Sequence, residues 1–283
     1  MSRIQQALRR AAESGLDVSW RKPEDRHLAP EAEPALREAD RLAVAPVEYQ
    51  EIALDIPPGS PILPFDGINP RVAEQYRILR TNLIRHASKP KVIAISSACP
   101  GDGKTLSAIN LAGALSLKAG TNVLLIDADL RQRDVGRKLA IGTRLGLSDV
   151  LSGECSASDA IFKVKAYPSL HILSSGRVDA NPAELLDSPA CRDLIAGFRE
   201  EFSFVVVDTT PVTALADYSL VEQLVDAVLL VIRPDHTHRP AFQRLLATDV
   251  AQKVIGLVIN GFEDWFLWHS ADTYGYYATK SGQ

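Results

Sequence analysis

Six short apolar runs constrain the fold of this 283-residue chain more than any other feature: Val92–Ser96, Val123–Ile126, Leu170–Leu173, Phe204–Val207, Ala227–Ile232 and Val254–Ile259. A strand that is apolar at every position has no face to give to water, so both faces must be covered. Helical patterns fill the intervals, most clearly from Lys104 to about Lys118. Strands alternating with helices predict an α/β protein: a doubly wound, mostly parallel sheet flanked by helices. Such sheets bind their ligands at the carboxyl ends of the strands. With 46% hydrophobic residues, the chain can bury the core this requires.

The flanks read differently. Ser2 to about Ala12 has Ile4, Leu8 and Ala11 at helical spacing, which suits either a frayed terminal helix or one that docks a partner. Nine of the 17 prolines fall between Pro23 and Pro70. Proline removes backbone donors, so this stretch is expected to be a flexible or loosely draped linker. A helix is expected over Val72–Ala87. No clear element follows Trp268, where three of the seven tyrosines crowd into four positions: Tyr274, Tyr276 and Tyr277. The expected organisation is a flexible N-terminal segment over 1–66, an α/β domain over 67–262 and a tyrosine-containing tail over 263–283.

Net charge is −4 and the isoelectric point near 5.9, which argues against a general nucleic-acid binder. Cys99, Cys155 and Cys191 form neither a metal-ligand pattern nor a disulfide framework, which fits a reducing cytosol. The opening MSRIQQALRR is too polar for a signal-peptide core, and no apolar run approaches membrane-spanning length. A cytoplasmic protein without direct membrane insertion is expected, held at a membrane, if at all, by a partner.

The strongest local signal is Ser97-Ala-Cys-Pro-Gly-Asp-Gly-Lys-Thr105, between an expected strand and an expected helix. Gly101 and Gly103 allow a tight turn whose N–H groups can point inward at phosphate oxygens. The helix start adds its positive dipole end. A phosphate cradle of Pro100, Gly101, Asp102, Gly103, Lys104, Thr105 and Leu106 is predicted, with Lys104 on the β- and γ-phosphates and the Thr105 hydroxyl on Mg²⁺. Ala98 stands where such loops usually begin with glycine. Cys99 lies inside the loop, either as an inert small residue or as an oxidation-sensitive thiol. Two strand ends carry further carboxylates, Asp127 and Asp129 with Arg131 on one and Asp208 on the other. Thr105, Asp129 and Asp208 are the candidate metal ligands, since Mg²⁺ takes oxygen donors and keeps several waters. Arg131 can contact phosphates or pair with a surface carboxylate. Asn260 can read an adenine edge or serve as a turn residue.

Together these motifs resemble the bacterial tyrosine kinases, which share the P-loop fold of the MinD and ParA ATPases. Leu124–Arg131 matches the family's aliphatic run followed by D-x-D-x-R, and Val205–Pro211 matches its D-x-x-P strand end. MinD and ParA relatives carry an extra lysine early in the loop, where this chain has Ser97, Ala98 and Cys99. Glu74-x-x-Arg77-x-x-Arg80 resembles the family's oligomerisation helix, and the terminal tyrosines resemble its autophosphorylated cluster. The resemblance implies an ATP-dependent tyrosine autokinase of exopolysaccharide biosynthesis, with Asp127 orienting or deprotonating the tyrosine hydroxyl. It also implies a homo-oligomeric ring whose tails reach a neighbour's site, and a membrane partner of the chain-length-determinant, or polysaccharide co-polymerase, type. Phosphorylation of the tails is expected to disassemble the ring. Competing readings are a MinD/ParA-like ATPase and a nucleotide-dependent scaffold of a polysaccharide assembly.

Overall fold

The six expected strands all form, and they lie side by side. The computed structural model describes residues 48–65, 67, 69–142, 144–177, 181–212, 215–246 and 252–261. The strands are β1 (Gln50–Ile52), β2 (Val92–Ser97), β3 (Val123–Asp127), β4 (Ile161–Val164), β5 (Tyr167–Leu173), β6 (Phe204–Asp208), β7 (Ala227–Ile232) and β8 (Val254–Ile259). They make one sheet in the order β1-β4-β5-β3-β6-β2-β7-β8. Every pairing from β5 to β8 is parallel. β4 runs antiparallel to β5, and β1 follows β4 in parallel, so one edge is reversed.

Consecutive strand residues point to opposite faces and feed two cores. Val92, Ala94, Leu124, Ile126, Val205 and Val207 pack on one side. Ile93, Ile95, Val123, Leu125, Val206 and Leu229 pack on the other. All twelve are at most 2% exposed. Fully burying each Val, Leu or Ile side chain stabilises the fold by roughly 1.5–3 kcal/mol.

Helices cover both faces: α1 (Pro70–Arg85), α2 (Lys104–Ser116), α3 (Asp134–Lys138), α4 (Leu147–Leu151), α5 (Ala157–Ala160), α6 (Pro182–Leu186), α7 (Pro189–Glu201), α8 (Leu215–Glu222) and α9 (Arg239–Leu246). Their starts follow local chemistry. α6 and α7 open with Asn181-Pro and Ser188-Pro, each cap side chain accepting a backbone N–H of the first turn. α2 opens on Gly103 in a left-handed conformation, with no side chain capping its first amides.

The proline-rich stretch departs from the linker expectation over 48–65. Ile52 is buried as β1 pairs with β4. Leu63 N–H donates to Asn110 Oδ1 at 2.7 Å, and Asn110 Nδ2 donates to the Pro61 carbonyl at 2.7 Å. A Cβ at Gly113 would stand 2.3 Å from Leu63 Cδ2, so the strap crosses α2 where that helix has no side chain. Two asparagine hydrogen bonds and a glycine notch thus replace the backbone ladder that proline denies. The expected helix at Ser2–Ala12 lies outside the described residues. Among the described residues no helix is long and apolar enough to cross a membrane.

Candidate active site

The carboxyl ends of β2, β3 and β6 meet at one place. Asp127 and Asp208 are register partners on adjacent strands, and Ala128 N–H donates to the Asp208 carbonyl at 2.9 Å. β2 pairs with β6 and delivers the loop 97–105 beside them. Lys104 leaves the first turn of α2 and lays its ammonium 2.7 Å from Asp129 Oδ2 and 3.7 Å from Asp208 Oδ1. The closer contact is an ion pair lacking hydrogen-bond geometry, for Asp129 Oδ2 has no hydrogen-bond partner. The Thr105 hydroxyl accepts a 3.4 Å contact from Lys104 Nζ.

These groups are almost sealed. Asp127, Asp129 and Asp208 are 0% exposed, Thr105 3% and Lys104 7%. Burial alone pushes the Lys104 ammonium down, but the charges of Asp208 and then Asp129 outweigh it and leave the pKa raised. Burial pushes the Asp127 carboxyl well up, helped by the Asp208 charge and opposed by the Val135 N–H. Burial pushes Asp208 up to about 6, with Lys104 opposing. The Thr105 hydroxyl also opposes that rise, without meeting hydrogen-bond geometry.

Several acceptors here have nothing to accept. Asp127 Oδ2 takes the Val135 N–H at 3.2 Å, while Oδ1 has no hydrogen-bond partner; neither oxygen of Asp208 has one. Buried polar atoms are seldom left so, and a cluster of them at strand ends is a place for water, an ion or a ligand. Among the described residues no three His, Cys, Asp or Glu side chains form a ready metal cage. Orphaned carboxylate oxygens beside a threonine hydroxyl instead fit a hard cation that takes its remaining ligands from phosphate and water.

The other predicted residues fall unevenly. Pro100 and Gly101 are exposed at the loop tip, Gly103 and Leu106 half-buried. Gly101 and Gly103 have φ of +87° and +98°, where a side chain is strained. Asp102 is 0% exposed, with its carboxylate fixed by protein donors rather than open to a phosphate. Asn260 donates to the Asp102 carbonyl at 2.9 Å and packs on Gly103, so its amide nitrogen holds the loop instead of facing a base. Arg131 forms a two-pronged bridge to Asp217 on α8, its second contact 3.1 Å. The alternative expected a surface carboxylate as partner; the partner found, Asp217, is buried, and it has no signal in the sequence.

On α1, Arg77 pairs with Glu74 at 3.2 Å, both well exposed. Arg80 turns inward to the Ala114 carbonyl near the end of α2, at 3.0 Å, so the three do not form one uniform charged face. Tyr274, Tyr276 and Tyr277 lie outside the described residues. Sequence reasoning missed His236 and Thr237, which touch the phosphate loop from the turn after β7.

Residues 90–252 match a family model described as an AAA domain. The chain is 37% identical over 214 residues to the tyrosine-protein kinase YwqD of Bacillus subtilis (strain 168), covering 74% of this chain and 87% of that one. It is 36% identical over 180 residues to the succinoglycan biosynthesis transport protein ExoP of Rhizobium meliloti (strain 1021), covering 61% of this chain and 22% of that one. The crystal structure of the VpsO kinase domain superposes with a TM-score of 0.61 at 32% identity, covering 68% of this chain and 95% of that one. A phosphate loop opposed by aspartate-tipped strands, in a chain this similar to a named tyrosine kinase along most of both lengths, belongs to the bacterial tyrosine-protein kinase family.

Proposed function

We propose that this kinase uses ATP with Mg²⁺ to phosphorylate its own C-terminal tyrosines, Tyr274, Tyr276 and Tyr277, in a neighbouring copy. The orphaned oxygens of Asp127 and Asp208, buried beside Lys104, carry the reading. Phosphoryl transfer asks a protein mostly to position groups and neutralise charge. The uncapped amides at the start of α2 and the loop 100–106 would hold the phosphates. Lys104, now resting on Asp129 and Asp208, would turn its ammonium to the β- and γ-phosphates. Thr105, Asp129 and Asp208 would hold the cation, which supplies charge neutralisation on the triphosphate. Asp127 has one oxygen pinned by Val135 N–H and one free. The free oxygen would accept the hydrogen of the incoming phenol, and burial makes the carboxylate the stronger base for it. Arg131 would join the phosphates only by leaving Asp217.

The likeness to a succinoglycan biosynthesis transport protein supports a role in regulating exopolysaccharide synthesis or export. A membrane co-polymerase partner would hold the kinase at the inner face of the membrane. Phosphorylating a neighbour's tail would require the copies to be held together, and a ring would do so, with Glu74, Arg77 and Arg80 near its contacts and Arg80 first released from Ala114.

The test is incubation with γ-labelled ATP and Mg²⁺, with and without the cytoplasmic segment of a co-polymerase, followed by mass spectrometry. Label on Tyr274, Tyr276 or Tyr277 that disappears in Lys104→Met is expected. Phosphate release with no labelled protein under either condition would overturn the kinase reading in favour of an ATPase.

A further inference from the structure

A carboxylate is an awkward group to place inside a loop built to hold polyphosphate. Asp102 sits there, and its carboxylate would repel the ligand if it pointed into the cradle. It points elsewhere, and the structure shows what holds it. Asp102 Oδ2 accepts the Cys99 N–H at 2.9 Å, closing the loop on itself. Oδ1 accepts from the Thr237 hydroxyl at 2.8 Å and contacts His236 Nδ1 at 2.9 Å.

The two outside partners come from one rigid turn after β7. Arg233 N–H donates to Thr237 Oγ1 at 2.7 Å, and the N–H groups of His236 and Thr237 donate to the Arg233 carbonyl. Asp235 takes the left-handed conformation that lets the turn close. The turn thus presents its hydroxyl and imidazole to one carboxylate oxygen. The fit is close, since a Cβ at Gly101 would lie 3.1 Å from the His236 ring. Without those donors Asp102 would be a buried, half-satisfied anion. Such a group costs enough to make the loop rearrange around it.

We infer that His236 and Thr237 are positioning residues for nucleotide binding. They hold the Asp102 carboxylate away from the phosphates and so keep the loop amides aimed at them. The assignment rests on the nucleotide site proposed above and adds to it two residues and a cause. Both residues act on the loop through Asp102, so their loss is expected to weaken affinity while the transfer step is kept.

Substitutions at the two positions separate geometry from bulk. His236→Asn keeps an N–H near the place of Nδ1, whereas His236→Gln moves its amide out toward the place of Nε2. Thr237→Ser keeps the hydroxyl and Thr237→Val removes it at constant shape. Calorimetry with MgADP on the full chain is expected to show about tenfold weaker binding for His236→Gln and Thr237→Val. His236→Asn and Thr237→Ser should stay within about twofold of the parent. In the kinase assay, His236→Gln should raise KM for ATP by a similar factor while kcat at saturating ATP is retained. Parent-like affinity in both His236→Gln and Thr237→Val overturns the inference. So does His236→Asn binding as weakly as His236→Gln, or a loss confined to kcat. Should His236→Gln fail to fold, the threonine pair decides alone. A parent chain that binds no MgADP would instead sink the nucleotide site, a different failure from parent binding with indifferent variants.

Discussion

Two kinds of buried carboxylate share this site. On the outer flank of the phosphate loop, Asp102 is 0% exposed and both its oxygens are engaged by donors. On the floor, Asp127 and Asp208 are equally buried, yet three of their four oxygens have no hydrogen-bond partner. Satisfying a buried anion stabilises a fold, and leaving one unsatisfied costs it. The flank is therefore scaffold, complete as it stands, and the floor is incomplete until a cation and phosphates arrive. Burial alone cannot tell the two apart; the partner of each oxygen does.

The largest expected effect lies on the floor. Lys104→Met should lower tyrosine phosphorylation by at least about 10²–10³-fold, the scale for removing one preorganised charge-stabilising group. Raising ATP should not restore it if the ammonium acts, as proposed, in the transfer step as well as in binding. Asp102→Asn should behave in the opposite way, losing affinity and regaining its rate at high ATP. Rates measured across a range of ATP separate the two. Recovery of Lys104→Met at high ATP would erase the distinction between floor and flank.

Stability gives the comparison a sign. Burial first of all raises Asp208 to about 6. In an unfolded chain the same carboxyl ionises near 3.9. Between those values the folded state keeps a proton that the unfolded state has released. The carboxyl therefore costs nothing below about pH 4, and its cost grows to about 3 kcal/mol as pH rises through about 6. In EDTA and without nucleotide, Asp208→Asn should be more stable than the parent at pH 8, by up to about that amount, and equal to it at pH 4. Urea unfolding at the two pH values checks both halves. Equal stability at pH 8 would mean that Lys104 compensates the charge more fully than a carboxyl raised to about 6 allows.

The same substitution on the flank should do the reverse. Asparagine at 102 keeps one acceptor and turns an NH₂ against a neighbour that also donates. Asp102→Asn is expected to lose about 1–3 kcal/mol of stability, the cost of an unsatisfied buried donor. Denaturant unfolding measures it. A stabilised Asp102→Asn would show that the flank, too, waits for a ligand.

What the chain revealed in advance divides along physical lines. The central strands were legible because a strand covered on both faces writes a continuous apolar run such as Ala227–Ile232, found with those same bounds. The reversed edge was not. β1 has three residues, only Ile52 buried, and its partner β4 lies more than a hundred residues away. β4 and β5 are joined across Lys165 and Ala166, without the glycine or asparagine that marks a tight hairpin. In the site, the loop and strand-end aspartates could be read because local spacing carries them. His236, Thr237 and Asp217 could not, because each meets its partner across 86 or more positions and none stands in a motif. Asp102 was placed in the loop for its backbone N–H; that its carboxylate braces the loop could not be read, since spacing does not say which way a side chain turns.

The smallest expected effect concerns Arg131, which belongs to neither region as the chain stands. Its side chain is 56% exposed and holds Asp217, which is 4% exposed. Removing Arg131 leaves both oxygens of that buried carboxylate without this partner, a cost that water reaching the exposed end of the bridge reduces but does not remove. Arg131→Ala should lower the melting temperature by about 2–4 °C, the shift for about 1 kcal/mol. Its effect on turnover decides where the residue belongs. If Arg131 leaves Asp217 to meet the phosphates, Arg131→Ala loses rate far beyond what so small a change in stability accounts for. Asp217→Asn, which loosens the bridge, then keeps the rate or raises it. If both variants turn over like the parent, Arg131 serves only the bridge. The floor then works with Lys104 as its one cation from the protein among the described residues.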